Sequence, residues 1–204
     1  VNDPITYNEV FTRVVDWVLV AEGVLSDDKQ DTGGITKYGH DTQSWPATLA
    51  RLPDDVRRRM PRDVRDLDRA LSVEAYFWGY WRWWGCHLLP PWAALLTFDG
   101  AVNGGDPRRW LQHAVGVAAD GVVGKVTLAA VARLRTADQI IEAAGEYQAW
   151  HLAYLSSLGG KWQAFGASYG QPHGWSRRLF AMCLDAVRIE QELGEAIAAP
   201  PPHT

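Results

Sequence analysis

The chain has 204 residues, 47% of them hydrophobic, and its 20 Lys and Arg against 24 Asp and Glu give a formal charge of −4. That length suits one domain or two small closely packed ones and buries about 70% of the surface that the unfolded chain exposes. The slight acidity argues against a nucleic-acid binder, which needs a basic face. No apolar run reaches the roughly 18 residues of a membrane span.

Taken in order, Thr6-Tyr7-Asn8-Glu9 reads as a capping box, so a first helix is predicted to start near Tyr7. Its apolar positions Val14, Val15, Val18 and Leu19 share one face, and three or four residues further along that face stands Glu22. Gly23 stops the helix there and leaves Glu22 in its last turn, beside unpaired carbonyls. The negative end of the helix dipole and an apolar surround both disfavour the charged carboxylate, the setting that a proton donor needs near neutral pH. The alternative is an ordinary snorkelling or capping Glu on a surface helix.

A polar loop with Asp27, Asp28 and Asp31 follows, then Gly33-Gly34 and the alternating segment Ile35-Thr36-Lys37-Tyr38. Paired Gly folds the chain back on itself, and the alternation predicts a short strand with Thr36 and Tyr38 on one side, so that the loop faces Glu22.

Glu22-Gly23, Asp28, Asp31, Gly33-Gly34, Thr36, Tyr38 and Gly39 stand at a spacing that resembles the signature of glycoside hydrolase family 108, whose members are bacterial and phage muramidases. The spacing from Glu22 through Asp31 to Thr36 is also similar to the Glu, Asp and Thr set of the small inverting phage lysozymes, with Thr36 one position nearer. The chain departs from the family pattern at Val24, Leu25, Lys29, Thr32 and His40-Asp41.

The resemblance implies a mainly α, lysozyme-like fold with a small β-hairpin after the Glu22 helix. It also implies an N-acetylmuramidase that cleaves the β-1,4 bond between N-acetylmuramic acid and N-acetylglucosamine. Glu22 is then the general acid, Asp31 the base and Thr36 the residue that holds the water, which predicts inversion and carboxyl groups about 6.5–9.5 Å apart. Asp27 or Asp28 is the alternative base, and a separation near 5 Å would indicate a covalent mechanism. Tyr38 is a candidate sugar contact. Neither a metal nor an organic cofactor is implied, because side-chain acid and base suffice.

From Ser44 to Leu71 the chain is broken by Pro46, Pro53 and Pro61 into short helical pieces, with seven Arg and five Asp interleaved as a solvated face. Ser72 is predicted to cap a helix through Glu74, Tyr76, Phe77, Tyr80, Trp81 and Trp84, too aromatic for one narrow stripe. Pro91 to Gly104-Gly105 predicts a helix of about a dozen residues. Its end, Phe98-Asp99-Gly100-Ala101-Val102-Asn103-Gly104-Gly105, is similar to a family 108 run. Asn103 is a candidate for bonding a sugar hydroxyl or acetamido group, and equally for capping that helix.

Asp106-Pro107 opens a helix closed by Gly116, and Asp120-Gly121 through Gly124 and Thr127 resembles the small peptidoglycan-binding module that accompanies the family 108 catalytic region. The same residues also read as a plain structural turn. Thr136-Ala137-Asp138-Gln139 is a second capping box. Gly174-Trp175-Ser176-Arg177-Arg178 resembles a Gly-Trp-x-x-Arg run of the family and opens a helix with Trp175, Leu179, Met182, Ala186, Ile189, Leu193 and Ile197 on one face. Trp175 is a candidate cover for a substrate cleft or a core residue.

The expected organisation is a catalytic region over 1–95, a helical peptidoglycan-binding-like region over 96–198 packed against it, and a disordered tail over 199–204. Cys86 and Cys183 are expected as buried free thiols, with one long-range bridge as the alternative. Residues Val1 to Phe11 lack the basic start and apolar core of a signal peptide. The resemblance then implies either a monomeric phage endolysin made in the bacterial cytoplasm, released by a holin or other export partner and acting on peptidoglycan in the periplasm, or a secretion-associated muramidase moved by another route, the phage enzyme being the expectation. Two other readings keep the same residues: a lytic transglycosylase, which needs Glu22 alone, and a non-catalytic peptidoglycan-binding or secretion-accessory protein.

Overall fold

The computed structural model describes residues 7–22, 25–26, 35–158 and 174–198, with side chains over 7–19, 35–158 and 177–194. The architecture is mainly helical with a small antiparallel sheet. The chain divides into two compact units, Val1–His87 and Leu88–Thr204. Among the described residues no helix is long and apolar enough to cross a membrane.

In the first unit, α1 spans Glu9–Glu22. Asn8 caps it, its Oδ1 accepting from the Phe11 N–H at 2.8 Å. The expected cap, Thr6, stands two residues before Asn8 and lies outside the described residues. Val14, Val15 and Val18 are buried, as their spacing predicts, while Leu19 of the same expected face is half-buried; Phe11 is buried as well. Tyr7, Phe11, Phe77 and Trp81 form a run of ring contacts with centroids 5.0–5.5 Å apart.

Strands β1 (Leu25–Ser26), β2 (Thr36–Lys37) and β3 (His40–Asp41) form a three-stranded antiparallel sheet in that order. Leu25 pairs with Lys37 and Ser26 with Thr36, while Thr36 also pairs with Asp41 and Lys37 with His40. The predicted hairpin is therefore extended by a third strand. Tyr38 is not part of the strand that carries Thr36: with φ of 51° for Tyr38 and 78° for Gly39, the pair makes the two-residue turn between β2 and β3. Such a turn needs positive φ at both positions, and Gly39 meets this at no steric cost.

Asp41 then accepts from the N–H groups of Gln43 and Ser44, each at 2.9 Å, and from the Ser44 hydroxyl, turning the chain into α2 (Trp45–Arg51). Helix α3 (Asp54–Arg57) and a 3-10 turn at Val64–Asp66 follow, the short pieces that the Pro spacing predicts. They close a core of Trp45, Leu52, Val56, Met60, Val64, Leu67 and Ala75. Helix α4 is Arg69–Tyr76, and its cap is Asp68, which accepts from the Leu71 N–H. Ser72, the expected cap, lies inside the helix and is fully buried. Buried Glu74 takes a two-pronged pair of bonds from Arg59 at 2.7 and 2.8 Å. From Phe77 to Arg82 the chain winds as a π-helix.

The second unit is built on α5 (Pro91–Val102), every residue of which from Pro91 to Ala101 is buried. Around it lie α6 (Pro107–Ala114), α8 (Ala137–Ser157) and α9 (Gly174–Ala198), with α7 (Lys125–Val131) between α6 and α8 in sequence. Pro90 gives α5 no capping side chain, and Glu190 of α9 supplies the missing acceptor, taking the Trp92 N–H at 3.2 Å. The capping box at Thr136 and Gln139 is formed, and Leu179, Met182, Ala186, Ile189 and Leu193 make the buried face of α9. Both cysteines are free, Cys86 buried and Cys183 half-buried. The tail over 199–204 lies outside the described residues.

Candidate functional site

Glu22 is the last residue of α1, where the sequence places it. Its side chain, Asp27, Asp28, Asp31 and the Gly33-Gly34 pair lie outside the described side chains and residues. Thr36, on the middle strand, is half-buried and in register with Ser26, four residues beyond Glu22, so the sheet ties the end of α1 to Thr36 through a short stretch of chain.

The sheet is anchored from behind. Lys37 reaches across to donate to the Arg65 carbonyl at 2.6 Å. The Tyr76 hydroxyl donates to the Tyr38 carbonyl at 2.9 Å. Left-handed backbone at a residue with a Cβ costs about 1–2 kcal/mol, and a hydrogen bond of this kind returns about 1 kcal/mol, so Tyr76 offsets much of what the Tyr38 turn costs. The Tyr38 ring also packs against the core cluster of the first unit, which makes it a partly buried anchor of the turn.

His40, one of the departures from the family pattern, is fully buried. Its ring lies 4.2 Å from that of Tyr76, 5.2 Å from Trp45 and 6.1 Å from Tyr80, and its Nε2 is 3.4 Å from the Ser72 carbonyl. Burial pushes its pKa down to about 4, with the Ser72 carbonyl and Asp41 pulling the other way. At neutral pH it is therefore an uncharged core residue behind β3. Sequence reasoning missed this, because the rings that enclose His40 come from Trp45, Tyr76 and Tyr80, which no pattern local to β3 contains.

Two further sequence candidates fall in the second unit. Asn103 caps α5, its Nδ2 donating to the Asp99 carbonyl at 2.8 Å and to Asp99 Oδ1 at 3.2 Å. Trp175 is the second residue of α9, and its side chain is outside the described set. Two motifs read separately in the sequence meet here: Arg178 of the Gly-Trp-x-x-Arg run donates to fully buried Asp99 at 2.7 Å. Gln112 holds the Asp120 turn, donating to Asp120 Oδ1 at 2.6 Å and to Thr127 Oγ1 at 3.1 Å while accepting from the Gly121 N–H at 2.8 Å. That is the work of a structural turn. Among the described residues no group of His, Cys, Asp and Glu is arranged to hold a metal ion.

Residues 15–105 match the family model of glycosyl hydrolase 108. The match runs from the middle of α1, through Glu22 and the sheet, to the glycines that close α5, and it supports a glycoside hydrolase. Among solved structures the chain is similar to Brucella abortus SagA, at 27% identity over 89% of this chain and 95% of that one, with a TM-score of 0.68. No curated protein matches. The mainly helical fold with its small sheet is lysozyme-like, and the structural likeness extends well beyond the glycosyl hydrolase 108 match into the helices of the second unit.

Proposed function

We propose that the chain is a peptidoglycan hydrolase of glycoside hydrolase family 108, an N-acetylmuramidase that cleaves the β-1,4 bond between N-acetylmuramic acid and N-acetylglucosamine. The observation that carries this reading is the match to the glycosyl hydrolase 108 model across the segment in which Glu22 ends α1 and Thr36 sits on the adjoining sheet. Glu22 protonates the leaving oxygen. Asp31 activates water on the opposite face of the sugar, with Thr36 orienting that water, and the anomeric centre inverts. Tyr38, at the turn of the same sheet, is the proposed sugar contact beside them. The proposed setting is a phage endolysin that reaches the wall through a holin.

The test is turbidity loss and mass analysis of muropeptides from purified cell walls, with wild type and Glu22→Gln, folding of both being checked by circular dichroism. Wild type is expected to release hydrated, reducing disaccharides. Glu22→Gln removes the proton donor without changing the shape of the side chain and is expected to lower the rate at least 100-fold, the usual scale of general acid catalysis. Equal lysis by both proteins would remove Glu22 from the mechanism, and anhydro products would replace hydrolysis by transglycosylation.

A further inference from the structure

The π-helix and the turn after it carry Tyr80, Trp83 and Trp84, spaced i, i+3 and i+4, so their rings share one face. Trp84 keeps an α-type bond back to Tyr80, its N–H donating to the Tyr80 carbonyl at 2.8 Å. The end of α2 docks on that face. Thr48 Oγ1 lies 3.1 Å from the Tyr80 hydroxyl, and one turn later Arg51 sets its guanidinium carbon 5.8 Å from the Tyr80 ring centre and 5.9 Å from those of Trp83 and Trp84.

Three rings around one guanidinium hold it by cation–π attraction, which fixes its position without neutralising it. Arg51 makes no ion pair with any carboxylate among the described residues, in a segment where Arg57, Arg59, Arg65 and Arg69 all do. It is half-buried, and Trp83 beside it is 51% exposed. A preorganised guanidinium loses little side-chain entropy when it takes a carboxylate in its planar fork. An exposed indole offers the flat apolar surface on which the axial C–H groups of a pyranose ring lie.

We propose that Arg51, Trp83 and Trp84 form a binding platform for a carboxylate-bearing glycan, the sugar ring on Trp83 and its carboxylate on Arg51. This rests on the peptidoglycan reading, in which the ligand is the wall polymer itself, bound through a muramic acid unit whose lactyl or stem-peptide carboxylate meets Arg51. The platform recognises acidic substitution of the glycan and leaves bond cleavage to the Glu22 segment.

The test is co-sedimentation of the full chain with purified peptidoglycan sacculi at 4 °C. The protein carries Glu22→Gln throughout, and the sacculi are used native or with their carboxylates amidated. Adding Arg51→Gln is expected to weaken binding to native sacculi about tenfold, the worth of one charge-assisted hydrogen bond, and to leave binding to amidated sacculi unchanged. Adding Trp83→Ala is expected to weaken binding to both. Circular dichroism checks each fold, and Arg51→Lys, which keeps the charge but loses the planar fork, is expected to fall between Arg51→Gln and the parent. Parent binding that neither variant alters would overturn the platform and leave the peptidoglycan reading standing. A parent that does not sediment with sacculi would overturn both.

Discussion

Acidification tests the buried sheet support directly. His40 is enclosed by Trp45, Tyr76 and Tyr80, and burial holds its pKa at about 4 against an ordinary 6.5. The folded state therefore takes up this proton less readily than the unfolded chain. The stabilisation that follows is complete above pH 6.5 and is lost progressively as the pH falls towards 4. The interval between 6.5 and about 4 is worth about 3 kcal/mol, a large part of the stability of a small domain. His40→Phe keeps an aromatic ring in the same enclosure and cannot titrate. Urea unfolding of both proteins between pH 7.5 and 4 gives the comparison, because every other titrating group is common to them. Wild type should lose about 3 kcal/mol more than His40→Phe over that range. Parallel loss by the two proteins would refute the argument.

Two packing predictions concern the second unit. Arg178→Met strands the carboxylate of fully buried Asp99 without its cation and should cost about 3–5 kcal/mol in urea unfolding. Adding Asp99→Asn should recover part of that loss, and a single variant within 1 kcal/mol of wild type would mean that the pair is not a buried ion pair in solution. Gly100→Ala would place a methyl group on the Tyr147 hydroxyl, which donates to the Leu96 carbonyl at 2.8 Å, and 3.1 Å from both Pro107 and Trp110. It should lower stability by about 1–3 kcal/mol, seen as a lower thermal midpoint; an unchanged midpoint would show that α5 has room to shift.

Much of the second unit was legible because its signals are local. Pro91 with Gly104, Asp106-Pro107, and the Thr136 box each fix a helix end through backbone geometry within a few residues. The apolar face of α9 repeats at helical spacing, and its described members from Leu179 to Leu193 are buried as read. Where two local signals competed, the sequence could not rank them. Asp68 and Ser72 are both good caps, four residues apart, and the choice fell to burial of the Ser72 turn in the core. At the first helix the observed cap is Asn8, a residue inside the expected box. The π-helix had no period to betray it among so many aromatics.

At the candidate site, Glu22 was legible as an interruption of an apolar face, and Thr36 as a strand residue. The place of Tyr38 in the turn depends on a hydroxyl 38 residues away, and the burial of His40 depends on rings from α2, α4 and the π-helix, neither of which a local pattern contains.

Asp99 and the cation that meets it are separated by 79 residues. On a ribosome adding 5–20 residues per second, Arg178 is made about 4–16 s after Asp99, and Glu190, which accepts from the start of α5, later still. Through that interval α5, the most apolar of the described helices, is already made while α9, one of the helices that bury it, is not. The first unit has all its elements once His87 has been added and can close during this wait. Birth order thus makes α5 the segment that a nascent-chain chaperone would have to shelter, and it makes maturation of the second unit a late event timed by translation speed.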